Sequence, residues 1–208
     1  MFILSAVLSP AVSCSMFQTP DAGIAGILPR ETDVPGWEPV RDSIRVDRGN
    51  LTSFHESYAL YNMTERAVTT YRSYRSGYQI TAEIIRCGSL LDAFGLMSWE
   101  KECLPDYRKV EDTMYLSPRT LVAFEGMYFI RISSTEHVDG LKEELLAFRN
   151  SIHQNLEGKA GDDVLPPYMT LFSPEYSLDS LLFLRKGMDE LPGMSAVFMR
   201  RRNIFDRE

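Results

Sequence analysis

Apolar residues recur along this chain with two periods, and the switching between them predicts its elements. Leu51, Phe54, Tyr58 and Tyr61 lie three or four apart, which makes one face of a helix that Asn50 can cap. Thr69 to Arg75 is rich in β-formers and ends at the turn signal Ser76-Gly77. Tyr78, Ile80, Ala82 and Ile84 then alternate with Gln79, Thr81 and Glu83, the period of a strand with one buried face. A second hairpin is expected from Thr120 to Phe124, turning at Glu125-Gly126 and returning as MYFIRIS. Between the hairpins, Ser89 is a good N-cap, with Asp92 three residues on as a short version of the capping box. That helix is expected from about Leu90 to Trp99, with Pro105 stopping any continuation. Leu141, Leu145, Phe148 and Ile152 mark one face of a last amphipathic helix, closed by Gly158 and Gly161.

The expected order is therefore α-β-β-α-β-β-α. Strand pairs alternating with helices predict an α+β fold, an antiparallel sheet built from β-hairpins and layered with helices on one side. Residues 27–158 form the expected main domain, and 159–208 a partial second unit that reads as incomplete. In that unit Leu178 to Met188 reads as a helix or an extended segment, and MSAVFMRRR as a strand. That strand has no partner in its own unit, so it is expected to join the main sheet or leave an open edge.

Gly95 is unusual because it sits inside a helix, where glycine costs about 1 kcal/mol relative to alanine. The expected gain is a close approach of the helix backbone to a neighbouring layer.

The N-terminus changes the picture. Residues 1–20 carry no charged side chain, and the first thirteen are mostly apolar. That run is shorter than the roughly 20 apolar residues that span a bilayer, and it fits the apolar region of a secretory signal. Ala11-Val12-Ser13-Cys14 resembles a relaxed bacterial lipoprotein signal, in which the Cys14 thiol would receive a diacylglycerol. Two features depart from that pattern: alanine stands where leucine is usual, and a basic leading region is missing. On this reading residues 1–13 are a signal, and 14–26 tether the domain to the outer surface of a membrane or in the periplasm. Cys87 and Cys103 then remain as a candidate disulfide pair, whose formation geometry decides.

The chain of 208 residues has a formal charge of −7 and a pI near 5.1. Such a chain is a poor partner for nucleic acid, which rewards a basic surface. His55-Glu56 begins like a zinc helix motif, but Ala59 stands where the second histidine is needed. No nucleophile elbow, phosphate loop or calcium-loop pattern occurs, so neither a catalytic residue, a metal ligand nor a cofactor site is assigned. His137 and His153 are expected to be solvated. Tyr58, Tyr61, Tyr71, Tyr74 and Tyr78 suit a ligand groove or a sheet–helix core, and core is the favoured reading. The candidate binding surface comprises His55, Glu56, Tyr58 and Trp99.

Leu28-Pro29, Gly36-Trp37, Asn50-Leu51, ITAEIIRCGSLLDAFGLMSWE and LVAFEGMYFIRIS together resemble a bacterial family of exported proteins classed only as a domain of unknown function. The most specific word is Asp92-Ala93-Phe94-Gly95, followed by Ser98 and Glu100. The resemblance covers roughly residues 27–200 and implies export and an α+β domain, with no activity to carry over. Family members tend to carry Ile-Asn-Gly where this chain has His55-Glu56-Ser57, and they tend to continue beyond Arg200. The expected function is a lipid-anchored, non-catalytic binding or structural domain of the cell envelope, taking an envelope protein or a small ligand. The alternatives are an enzyme whose site assembles from sequence-distant residues, or a shortened family member without independent activity.

Overall fold

The structure, a computed structural model, describes residues 23–49, 51, 58, 60–104 and 106–159, together with the strands 181–184 and 197–200. The first described element is a 3-10 turn, Gly23–Ile27, whose Ile24 and Ile27 are buried, so residues 23–26 of the segment expected as a tether belong to the packed fold. Strands β1 (Trp37–Pro39), β2 (Arg45–Arg48), β3 (Met63–Ser73) and β4 (Gln79–Cys87) lead into helix α1 (Leu90–Cys103). Strands β5 (Arg108–Glu111), β6 (Met114–Leu116), β7 (Thr120–Glu125) and β8 (Tyr128–Ser134) lead into helix α2 (Leu141–Leu156). β9 (Leu181–Leu184) and β10 (Val197–Arg200) follow.

The first eight strands form one antiparallel sheet in the order β1-β3-β4-β8-β7-β6-β5, with β2 also pairing β3. The α+β fold is thus as the periodicity predicts, and both hairpins form. Gly77 (φ +76°) and Gly126 (φ +53°) occupy the left-handed conformation in their turns, which is why those turns need glycine. β1 and β2 share the outer edge of β3. Ser43 bridges the gap between them: its hydroxyl lies 2.7 Å from Thr69 Oγ1 and accepts from the Thr70 N–H at 3.2 Å.

Side-chain parity shows where the helices sit. Ile80, Ala82, Ile84, Leu121, Ala123, Ile130 and Ile132 point to one face, where Leu141, Leu145, Phe148 and Ile152 of α2 cover them. Ile85, Cys87, Val122, Phe124 and Phe129 point to the other, where Ala93, Phe94, Leu96 and Met97 of α1 cover them. The expected layering on one side is therefore replaced by helices on both faces. The apolar runs LVAF and YFI are the physical reason, since a strand buried on both sides needs apolar residues at successive positions.

On the α2 face an aromatic group closes the core. Trp37 meets Tyr78 and Phe148 edge-on at 5.1 and 5.3 Å, and Tyr71 tilts onto Phe148 at 4.7 Å. The Tyr71 hydroxyl donates to the Pro29 carbonyl at 2.8 Å, which pins the N-terminal segment to the sheet. Tyr58, Tyr61, Tyr71 and Tyr78 are all buried, as the core reading of the tyrosines expects, whereas Tyr74 is exposed.

Four short strands lack a sequence signal. β2 (RVDR) and β5 (RKVE) are mostly exposed and charged, as edge strands tend to be, and β1 and β6 have only three residues each. The helix expected from Leu51 lies largely outside the described residues, although Leu51, Tyr58 and Tyr61 share one buried cluster. The strand expected near the C-terminus does not join the main sheet or stand alone. β10 pairs antiparallel with β9, which resolves Leu178 to Met188 as extended chain over Leu181–Leu184. β9 lies beside α1, so α1 has the main sheet on one side and a small hairpin on the other. That placement explains a helix with little amphipathic character, buried around most of its circumference, including Gly95.

Burial pushes the pKa of Tyr58, Tyr61 and Tyr71 well above the usual tyrosine range, because the buried phenolate loses its hydration. These folded-state values exceed the unfolded one, so their contribution to stability is complete below about pH 10 and is lost as pH rises beyond it. Rapid mixing into alkali, followed by tyrosinate absorbance, should show the exposed Tyr74 ionising before the buried group, which ionises only as the chain unfolds. A single fast phase for all tyrosines would contradict this packing.

Candidate functional site

The joint between β4 and α1 organises the α1 face. Ser89 Oγ accepts from the Asp92 N–H at 3.2 Å, and its hydroxyl donates to Asp92 Oδ2 at 2.6 Å. This is the expected cap. The fully buried Asp92 also accepts from the Asn62 N–H at 3.4 Å, which ties the approach to β3 onto the helix start. Gly88 donates its N–H to the Asn62 carbonyl at 2.7 Å, and a Cβ there would lie 2.9 Å from Asn62 Cγ. At this joint Gly88 is a glycine whose backbone approaches Asn62 closely. In α1 itself, Ser98 donates to the Gly95 carbonyl at 2.8 Å within the buried helix.

Beyond the apolar patch under α1, the same sheet face becomes polar in two rows. The first row sets Glu83 of β4 directly opposite Arg131 of β8. Arg131 Nη1 lies 3.5 Å from Glu100 Oε2 of α1, and Tyr58 hydrogen-bonds Arg131. Glu83 accepts from Arg66 Nε of β3, whose Nη1 also reaches Asp47 Oδ2 of β2 at 2.9 Å. Burial works against the charge on Arg131, but Glu100, Tyr58 and Glu83 outweigh it and raise its ionisation further. Arg66 behaves likewise: burial lowers it, and Glu83 and Asp47 raise it more. Both guanidiniums are therefore held charged by carboxylates supplied from other elements.

The second row is hydroxylic. Thr70 pairs with Thr81, Thr81 with Ser133, and Ser133 with Thr120, so four hydroxyl side chains cross β3, β4, β8 and β7 in line. Thr70 and Thr81 hydroxyls are 3.3 Å apart. Gln79, Thr81, Thr120, Arg131, Ser133 and Arg119 line an open cleft of about 390 Å³ above this row. A second depression of about 360 Å³ beside it is lined by Ser43, Arg45, Arg66, Val68 and Thr70. Arg119 is exposed, and Nη1 donates to the Thr135 carbonyl at 3.2 Å.

The sequence-derived candidates are distributed differently. Cys14, His55 and Glu56 lie outside the described residues. Tyr58 is buried, with 3% of its surface exposed, against the cluster that half-buried Trp99 also joins, so these two candidates come together in a packed region. No disulfide joins Cys87 to Cys103. Cys87 is buried at the end of β4, whereas Cys103 is exposed in the last turn of α1. Burial, Glu100 and Glu102 push the Cys103 thiol up, which disfavours the reactive thiolate. His137 is exposed as expected, and His153 Nδ1 sits 2.8 Å from Glu125 Oε1. Among the described residues no helix is long and apolar enough to cross a membrane.

Arg119, Arg131, Thr120 and Ser133 are the site residues that pattern reading does not reach. Their only sequence signal is that the wet positions Gln79, Thr81 and Glu83 and the polar positions Arg131 and Ser133 fall on central hairpin strands. No protein-family model, curated protein or solved structure matches this chain.

Two substitutions test the site's supports. Gly88→Ala should lower stability by about 1–3 kcal/mol in urea unfolding, because Asn62 must move. Glu83→Gln should cost about 2 kcal/mol, because Arg66 loses its least exposed carboxylate. Unchanged midpoints would show that neither contact supports the site.

Proposed function

We propose that this protein is an exported, lipid-anchored domain that binds a ligand non-catalytically at the outer surface of a membrane, using the polar cleft on the α1 face. The observation that carries the binding reading is the cleft itself: hydroxyl and guanidinium groups converge from β4, β7 and β8 on an open sheet floor. Such groups hold a polar ligand through hydrogen bonds fixed by strand register. The uncharged, apolar N-terminal run ending at Cys14 supports the address, as does the resemblance to exported bacterial proteins.

A second reading, an enzyme assembled from sequence-distant residues, draws support from one cluster. Tyr58, Glu83, Glu100 and Arg131 approach each other from four parts of the chain, and two of them are buried carboxylates. Paired carboxylates of this kind suit acid–base work.

Native mass spectrometry of protein purified from its own host should show a small-molecule adduct that Ser133→Trp removes by filling the cleft. Recovery of that molecule chemically unchanged supports binding, and recovery of a converted form supports the enzyme. A bare mass for both proteins sinks the cleft as a site. The address is tested separately by the mass of the N-terminal peptide from host membranes: a diacylated Cys14 that Cys14→Ala abolishes. An intact Met1 in the soluble fraction would overturn export.

A further inference from the structure

The cleft is chemically biased. The whole chain carries a formal charge of −7, yet the cleft is lined by two arginines, five Ser or Thr residues and a glutamine, with no carboxylate among them. The lining divides into two parts. Arg131 is held from two sides, by Glu83 opposite it in the sheet and by Glu100 on α1. Its Nε is buried and has no hydrogen-bond partner among the described residues. Arg119 precedes β7 at the cleft's rim, and among the described residues its guanidinium meets a neutral carbonyl, that of Thr135. Its charge is therefore not neutralised by that contact. Between the two arginines run the hydroxyls of Thr81, Ser133 and Thr120, held in line by consecutive cross-strand pairs.

On the reading that this cleft binds a ligand, we infer that the ligand presents an oxyanion, a phosphate, sulfate or carboxylate group, to Arg119 and Arg131 across the Thr81–Ser133–Thr120 row. A planar guanidinium matches the paired oxygens of such a group, and hydrogen bonds to a charged acceptor are roughly twice as strong as neutral ones. Hydroxyls can donate to the remaining oxygens. A neutral ligand would leave the Arg119 charge without a counterpart among the described residues, whereas an oxyanion supplies one. Glu83 and Glu100 hold the Arg131 guanidinium from β4 and α1, and neither lines the cleft.

The test is a titration of the full chain with inorganic phosphate, sulfate and citrate, read by the amide resonances of Thr81, Thr120 and Ser133. At least one anion should shift these resonances with saturation below about 10 mM, an affinity that needs only a few direct contacts. Arg119→Ala, at an exposed position that leaves the core intact, should weaken binding about tenfold or more. Arg41→Ala, at an exposed arginine away from the cleft lining, should change nothing. Raising the salt should weaken the binding as well. Vesicles of phosphatidylglycerol, beside vesicles of phosphatidylcholine, separate a lipid headgroup from a free anion; binding from either source supports the inference. Shifts with a neutral oligosaccharide and none with any anion or anionic vesicle would overturn the oxyanion inference and leave the cleft as a binding site. Equal anion binding by wild type and Arg119→Ala would also overturn it. No shift with any probe would remove both.

Discussion

The pairing of β4 with β8 is the constraint on which this structure depends. It joins two hairpins that local sequence builds separately, and its register decides every functional neighbour on the sheet. Ile84 opposite Ile130 and Ile85 opposite Phe129 give each face its apolar share. Glu83 opposite Arg131 and Thr81 opposite Ser133 give one face its chemistry. A one-residue slip of β8 against β4 would turn Arg131 toward the α2 core and carry Ile130 out of it, so burial itself enforces the register.

The α1 face then changes character along the strands. Under the helix it is apolar, through Ile85, Phe129 and Phe124. Next come Glu83 and Arg131, where Glu100 reaches down from α1 and Arg66 and Asp47 close the charges from β3 and β2. Last comes the hydroxyl row, which α1 does not cover and which borders the cleft. The order has a physical logic. Charges close to an apolar layer require partners, and here each guanidinium has them, so the charged row separates a dry core from a wet surface at limited cost. The cap at Ser89 and the buried Asp92 fix where α1 starts, and therefore which part of the face stays open.

Much of the scaffold was legible in the sequence. Ser76-Gly77 and Glu125-Gly126 marked their turns, Ser89 its cap and Leu141, Leu145, Phe148 and Ile152 their helix face, because each signal lies within a few residues. The short strands were not legible: β2 and β5 are charged edges that bury little, so no apolar period marks them. The alternation of Gln79, Thr81 and Glu83 suggests one wet face, whereas helices cover both faces of the sheet. The wetness of that face is real but local to the cleft end, and the runs Ile84-Ile85, LVAF and YFI carried the contrary signal.

Of the candidate site, the sequence offered His55, Glu56, Tyr58 and Trp99; the first two lie outside the described residues, and the structure places Tyr58 and Trp99 in or against a packed cluster. It could not offer Arg119, Arg131, Thr81 and Ser133 as a group, because they are brought together by strand pairs that span up to 54 positions, Ile80 to Ser134. The sequence by itself determined the two hairpins, the Ser89 cap, the last amphipathic helix and the apolar N-terminal run, all set by local periodicity and side-chain type. Only the tertiary structure decided that helices cover both faces, that β9 pairs with β10 beside α1, and that two arginines meet a row of hydroxyls. Those outcomes follow from burial summed over contacts distant along the chain, and no short window of sequence contains that sum.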